Sequence, residues 1–215
     1  VDAPEVDREA VRTVELGITL AYLGATLGVC MVVPQILRTV RHPTLGGVSP
    51  LTWSLTALAC TAWMTYGLRT ATWPQVPGNV LLVSGAVAIV VLVPSPASRG
   101  RRGVRLALAT ALLVTTAALL PPHAVGYLAF SLGLVSAWPQ VYDSVSTWRS
   151  GETSGVSVTT WLLKIVSQLC WLSYALTARD FPVTISALVA LSTACSLVIL
   201  ETSGPWLRRA TVEAA

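Results

Sequence analysis

The sequence predicts an all-α membrane protein with seven transmembrane helices, two parallel three-helix bundles joined by a linker helix (3+1+3). Three observations predict it: a charge-poor composition, seven apolar runs, and an internal repeat that copies three of those runs. Of 215 residues, 53% are hydrophobic and only 11% are charged, with mean hydropathy +0.68. A soluble domain carries about a quarter of its residues as charges, so this chain cannot clothe a water-facing surface. Soluble enzymes, disordered tails and nucleic-acid binders are poor fits despite the net charge of +4.

In chain order the apolar runs are 17–37, 49–68, 76–93, 104–120, 124–142, 156–177 and 181–200. Each meets or approaches the roughly 20 residues a helix needs to cross a bilayer. Before the first run stand Asp2, Glu5, Asp7, Glu9 and Glu15. That leader is acidic where a secretion signal is basic, so the run is expected to stay as a span. One set of connections holds nine arginines (Arg38, Arg41, Arg99, Arg101, Arg102, Arg105, Arg149, Arg208, Arg209), and the opposite set holds four (Arg8, Arg12, Arg69, Arg179). The positive-inside rule then places the N-terminus outside and the C-terminus in the cytoplasm. Cys30, Cys60, Cys170 and Cys195 lie within apolar runs without a C-x-x-C pair, so they read as small buried hydrophobes. No disulfide, metal site or cofactor is expected. Thirteen arginines against one lysine, with abundant Ala, Val and Gly, fit a GC-rich bacterial genome and hence a plasma (inner) membrane.

The repeat is explicit. Residues 22–35 read YLGATLGVCMVVPQ and residues 127–140 read YLAFSLGLVSAWPQ, with Tyr, Leu, Leu, Gly, Pro and Gln recurring at an offset of 105. After a three-residue insertion the offset is 108. Gly47-Val48-Ser49 then matches 155–157, Thr52–Trp53 matches Thr160–Trp161, Trp63-x-x-Tyr66 matches Trp171-x-x-Tyr174, and Pro74 matches Pro182. Three crossings leave a chain on the opposite face, so two copies run in the same direction only if one extra span separates them. Segment 104–120, which has no counterpart, supplies it. The domains are therefore 17–93 (first repeat), 104–120 (linker) and 124–200 (second repeat).

Pro34–Gln35 and Pro139–Gln140 each place a proline inside a span, where the lost donor and the ring clash kink or loosen a helix. In lipid the freed carbonyl needs another partner, which the adjacent glutamine can provide. The bland reading is that prolines are common in membrane helices; the duplication favours hinges. The duplicated proline–glutamine pairs, with G-V-S and W-x-x-Y-G in the second span, resemble the PQ-loop superfamily. The three-one-three layout resembles its SWEET branch, as two fused SemiSWEET units, over residues 17–200. Family resemblance implies hinges at Pro34, Pro50 and Pro139, with Val158 standing where a fourth proline is expected.

The same resemblance implies a central cavity in which Trp63 and Asn79, sixteen residues apart, contact sugar. An indole face covers the apolar side of a sugar ring, and an amide serves its hydroxyls. The competing readings are an interfacial anchor for Trp63 and a helix-to-helix bond for Asn79, the chain's sole asparagine. In the second repeat Trp171 is retained, but Ala187 replaces the amide, with Ser186 beside it. Lys164, Gln168 and Trp171 fall at i, i+4 and i+7, on one helix face. A mid-membrane ammonium costs roughly 3 kcal/mol on insertion scales and marks function by default. It is also about 12 Å from the expected cytoplasmic end, within partial reach of snorkelling. Proton-coupled relatives resembling the lysosomal cystine exporter carry an acid at the position of Lys164.

No Asp, Glu or His falls deep within a run, which favours passive movement over proton coupling. Enzyme chemistry is disfavoured by the lack of G-x-S-x-G, H-E-x-x-H or a buried acid pair, and a retinal Schiff base by the lack of a last-span lysine. The expected activity is facilitative alternating-access transport of a mono- or disaccharide. The alternatives are a proton-coupled or passive carrier of an amino acid or small carboxylate, similar to the cystine exporter, and a ligand-binding receptor similar to the KDEL receptor. The expected partners are a small solute and the bilayer, with no nucleic acid; self-association is left open.

Overall fold

The computed structural model describes residues 8–41, 50–92, 96–150 and 158–213, and these form seven α-helices with no strand among the described residues. They are α1 (Arg8–Arg41), α2 (Pro50–Thr70), α3 (Gln75–Leu92), α4 (Pro96–Leu119), α5 (Pro122–Ser150), α6 (Val158–Ala178) and α7 (Phe181–Glu213). Each expected span lies within one of them to within two residues at the shared ends. At the arginine-rich end α1, α4, α5 and α7 run well past the spans. The chain turns at 71–74, 120–121 and 179–180 lie together at the opposite, short-turn end.

The helix contacts explain the order of packing. Helix α3 packs against both α1 and α2, and α7 against both α5 and α6. Between the halves, α1 packs on α6 and α2 on α5. These contacts close a ring, α1–α3–α2–α5–α7–α6, whose axis is the pseudo-two-fold of the repeat. Helix α4 lies outside the ring against α2 and α3, with Leu106 in a cluster with Ala57, Ala86 and Val90.

Apolarity follows the ring. Val11–Val33, Gly100–Leu119 and Phe181–Leu200 are long and apolar enough to cross a membrane, and Gln75–Val91 is a shorter apolar helix. Helices α2, α5 and α6 carry Thr61, Tyr66, Pro139, Lys164 and Gln168 among their apolar residues. Leu108, Leu112, Leu119, Leu188 and Ile199 are exposed on outer faces, an apolar belt that water would not tolerate and lipid does. Small residues let the helices approach. A Cβ on Gly126 of α5 would sit 2.6 Å from Pro182 Cβ and 3.0 Å from Tyr66 Cε2, the close packing typical of membrane helices. Across the α1–α6 contact, buried Ser167 donates its hydroxyl to the Gly24 carbonyl at 2.9 Å.

Candidate functional site

Two turns of matching geometry shut the short-turn end of the ring. After α2, Ala71 takes φ 56°; after α6, Arg179, 108 residues later, takes φ 53°. The next amide then reaches back over it: Thr72 N–H to the Gly67 carbonyl at 2.8 Å, Asp180 N–H to the Ala175 carbonyl at 2.9 Å. Glycine usually holds this left-handed position at a helix end; an ordinary residue there costs about 1–2 kcal/mol.

From these turns, bonds cross between the repeats. Tyr66, 1% exposed, donates its hydroxyl to Asp180 Oδ1 at 2.8 Å. The same oxygen accepts the Val183 N–H at 3.2 Å, so Asp180 caps the start of α7 while holding α2. At the corresponding place in the other repeat, Tyr174 of α6 lies beside the side chain of Thr72, whose hydroxyl is bonded to Thr70 at 2.8 Å. Each tyrosine of one repeat thus reaches the turn of the other, and Tyr66 is bonded to it.

Just below, Trp63 meets Tyr66 edge-on, with centroids 5.8 Å apart and planes at 82°, and Trp171 meets Tyr174 at 6.1 Å and 86°. Such T-shaped pairs fix both rings. Both indoles pack on one cluster formed by Tyr66, Ala117, Val125, Ala175 and Val183. The structure therefore brings the two sequence-predicted tryptophans to one place. Trp63, Trp171, Asn79, Gln168, Lys164 and Ser186 are all half-buried. Asn79 donates Nδ2 to the Gln75 carbonyl at 2.7 Å. Lys164 on α6 lies within electrostatic reach of buried Cys60 on α2, across the ring. Cys60 is the repeat counterpart of Gln168. Ala187, the counterpart of Asn79, is buried.

Among the predicted hinge residues, Pro139 sits inside α5 with its ring exposed, and the helix continues through it. Pro50 is the first residue of α2, where a missing N–H leaves no bond unmade. Pro34, Gln35, Pro50 and Gln140 lie in helices, with their side chains outside the described residues.

Sequence reasoning missed four participants. Asp180 follows Arg179 and reads as a connection, yet an Asp directly before an apolar run is a helix-start signal. Arg69 Nη1 donates to the carbonyls of Ala117 and, at 2.5 Å, Leu120, tying α2 to the end of α4; in sequence it counted only as a topology charge. Thr72 and Gln75 read as a capping box, in which the glutamine side chain reaches back to the Thr72 N–H. That N–H is already bound to Gly67, and Gln75 is left 3% exposed with both amide atoms unpartnered. An unmet buried polar group costs about 1–3 kcal/mol.

Residues 122–184, spanning α5, α6 and the first turn of α7, match the family model of the PQ loop repeat. A solved structure described as a eukaryotic SWEET transporter at 3.7 Å superposes with a TM-score of 0.72 at 14% identity, covering 88% of this chain and 99% of that one. No curated protein matches the chain. The second half thus carries a PQ loop repeat, and the whole chain has the fold of a SWEET transporter, as the duplicated motifs imply.

Proposed function

We propose that the chain is a facilitative carrier that moves a small polar solute by alternating access, with a mono- or disaccharide as the first choice. The observation that carries this reading is the tie between the repeats at one end, Tyr66 with Asp180, beside two half-buried tryptophans, one from each repeat, that pack on one cluster. In this reading the units 17–93 and 124–200 rock against each other, with 104–120 as linker, and Pro34, Gln35, Pro50, Pro139 and Gln140 supply the bending points. The arginine count puts the short-turn end outside, so the conformation described here is shut toward the exterior. The composition favours a bacterial inner membrane.

Solute would lie between Trp63 and Trp171, with hydrogen bonds from Asn79, Gln168 and Ser186. Opening the outer end requires breaking the Tyr66–Asp180 bond and parting Tyr174 from Thr72. Neutral hydrogen bonds contribute about 0.5–1.5 kcal/mol net and bonds to a charged group about 1.5–3, so thermal exchange between states is accessible. Affinity on the order of 1 mM, about −4 kcal/mol, suits a site that must release its cargo.

Lys164 favours a second reading, a solute bearing a carboxylate that the ammonium offsets across the ring from Cys60. Liposome uptake of labelled glucose, sucrose, cystine and lactate, with and without a pH gradient, separates the two. Sugar flux that falls about tenfold in Asn79→Ala, the equivalent of one hydrogen bond, and ignores the gradient supports the first. Flux of lactate or cystine alone, lost in Lys164→Met, supports the second. Equilibration of none of the four leaves the receptor reading.

A further inference from the structure

Gln75 is the first residue of α3 and is 97% buried by its 3% exposure, yet neither its Oε1 nor its Nε2 has a partner among the described residues. An amide offers two donors and two acceptor lone pairs, and buried side-chain polar groups almost always find at least one partner. The repeat itself provides a control for what this position needs. Its counterpart, 108 residues later, is Val183, which fills the same place at the start of α7 as part of the buried cluster around Tyr66. Packing is therefore served by an apolar residue, and helix capping does not use the glutamine, because the Thr72 N–H is bound to Gly67.

Placement gives the amide a direction. At 100° per residue, Gln75 shares a stripe of α3 with Gly78, Ala86 and Ile89, all buried. Gly67 of α2 touches Gln75, since a Cβ on that glycine would lie 3.0 Å from the Gln75 Cβ, and Gly78 touches Ala25 of α1. The stripe thus faces the seam between α1 and α2, the two helices that meet the other repeat. Asn79 lies one turn deeper, about 5.4 Å along the axis, and already spends one donor on the Gln75 carbonyl. Above Gln75 is Thr72, the residue that Tyr174 reaches.

We propose that the Gln75 amide is a second hydrogen-bonding station for the hydroxyl groups of a sugar, one turn toward the short-turn end from Asn79, and that solute meets it between the Tyr66–Asp180 closure and the tryptophans. This station rests on the carrier reading above. It explains why the first repeat carries two amides on α3 where the second carries Val183 and Ala187: one unequal pair of stations lines one wall of the ring.

The test is glucose counterflow in liposomes together with the thermal midpoint of the purified protein, for wild type, Gln75→Val, Gln75→Met and Asn79→Ala. The expected result is an unchanged or raised midpoint for Gln75→Val, because an unmet amide is removed, with the half-saturating glucose concentration raised about fivefold. Gln75→Met, which keeps the length of the side chain, is expected to give the same rise and serves if the valine packs poorly. Unchanged half-saturation in both variants, or a loss of flux that only tracks loss of folded protein, overturns the station while Asn79→Ala still lowers flux. A wild type that moves no glucose overturns the carrier reading and the station with it.

Discussion

The two repeats share a skeleton and divide the chemistry. Positions 71 and 179 take the same left-handed turn, Trp63–Tyr66 and Trp171–Tyr174 make the same edge-on pair, and each tyrosine reaches the turn of the opposite repeat. The polar groups, by contrast, are not copied. At an offset of 108, Thr72 corresponds to Asp180, Gln75 to Val183, Asn79 to Ala187, Thr56 to Lys164, and Cys60 to Gln168. The first repeat keeps its amides on α3, and the second keeps its charge and its amide on α6. Geometry is retained because the ring closes only if both halves present matching contacts. The polar positions compared above are free of that constraint and have diverged.

The comparison breaks most sharply at Gly126, whose first-repeat counterpart is Ala21. Ala21 is fully buried and already accommodates a Cβ; Gly126 has Pro182 and Tyr66 in the way. Gly126→Val is expected to lower stability by about 3 kcal/mol, read as a fall in the thermal midpoint, with Ala21→Gly far milder. Next come the two unequal cross-repeat contacts. Asp180→Ala strands the buried Tyr66 hydroxyl and uncaps α7, for about 2 kcal/mol against the closed end; Thr72→Val removes a neutral bond and is expected to cost about 1 kcal/mol. Thiol labelling of a cysteine placed just below the turn should rise in both, more in the first, and equal labelling would make the two closures equivalent. Arg69, whose counterpart is Thr177, ties α4 to the first repeat alone. Arg69→Met is expected to cost about 1 kcal/mol and to speed hydrogen exchange at the end of α4, while Thr177→Val leaves α4 unchanged. Smallest of all, Ala71→Gly and Arg179→Gly relieve the left-handed turns and should each raise stability by less than about 1 kcal/mol; a fall in either would mean that the turn is held by its side chain.

Much of the candidate site was picked out in the residues because its aromatic pairs are written twice. Trp63, Tyr66, Trp171 and Tyr174 stand out as a duplicated motif, and Asn79 and Lys164 stand out as the single Asn and Lys of the chain. Asp180 and Arg69 were not legible as site residues. Each lies at a span end, where a charge is ordinary, and its partner is 114 or about 50 residues away. The capping-box signature at Thr72–Gln75 was present in the sequence and pointed to a bond that the structure makes otherwise.

By itself the sequence determined the seven helices, the apolar stretch of each and the direction of the second copy, because a bilayer demands apolar runs of fixed length and a repeat preserves register; how far α1, α4, α5 and α7 continue beyond those stretches it did not. Which helices touch was decided only by the tertiary structure: the ring order with α3 between α1 and α2, the reach of Tyr66 to Asp180, the tie from Arg69 to α4, and the stranded amide of Gln75. Those pairings depend on how each helix is rotated and tilted against neighbours far away in the chain, and periodicity along one helix carries no information about the face its neighbour presents.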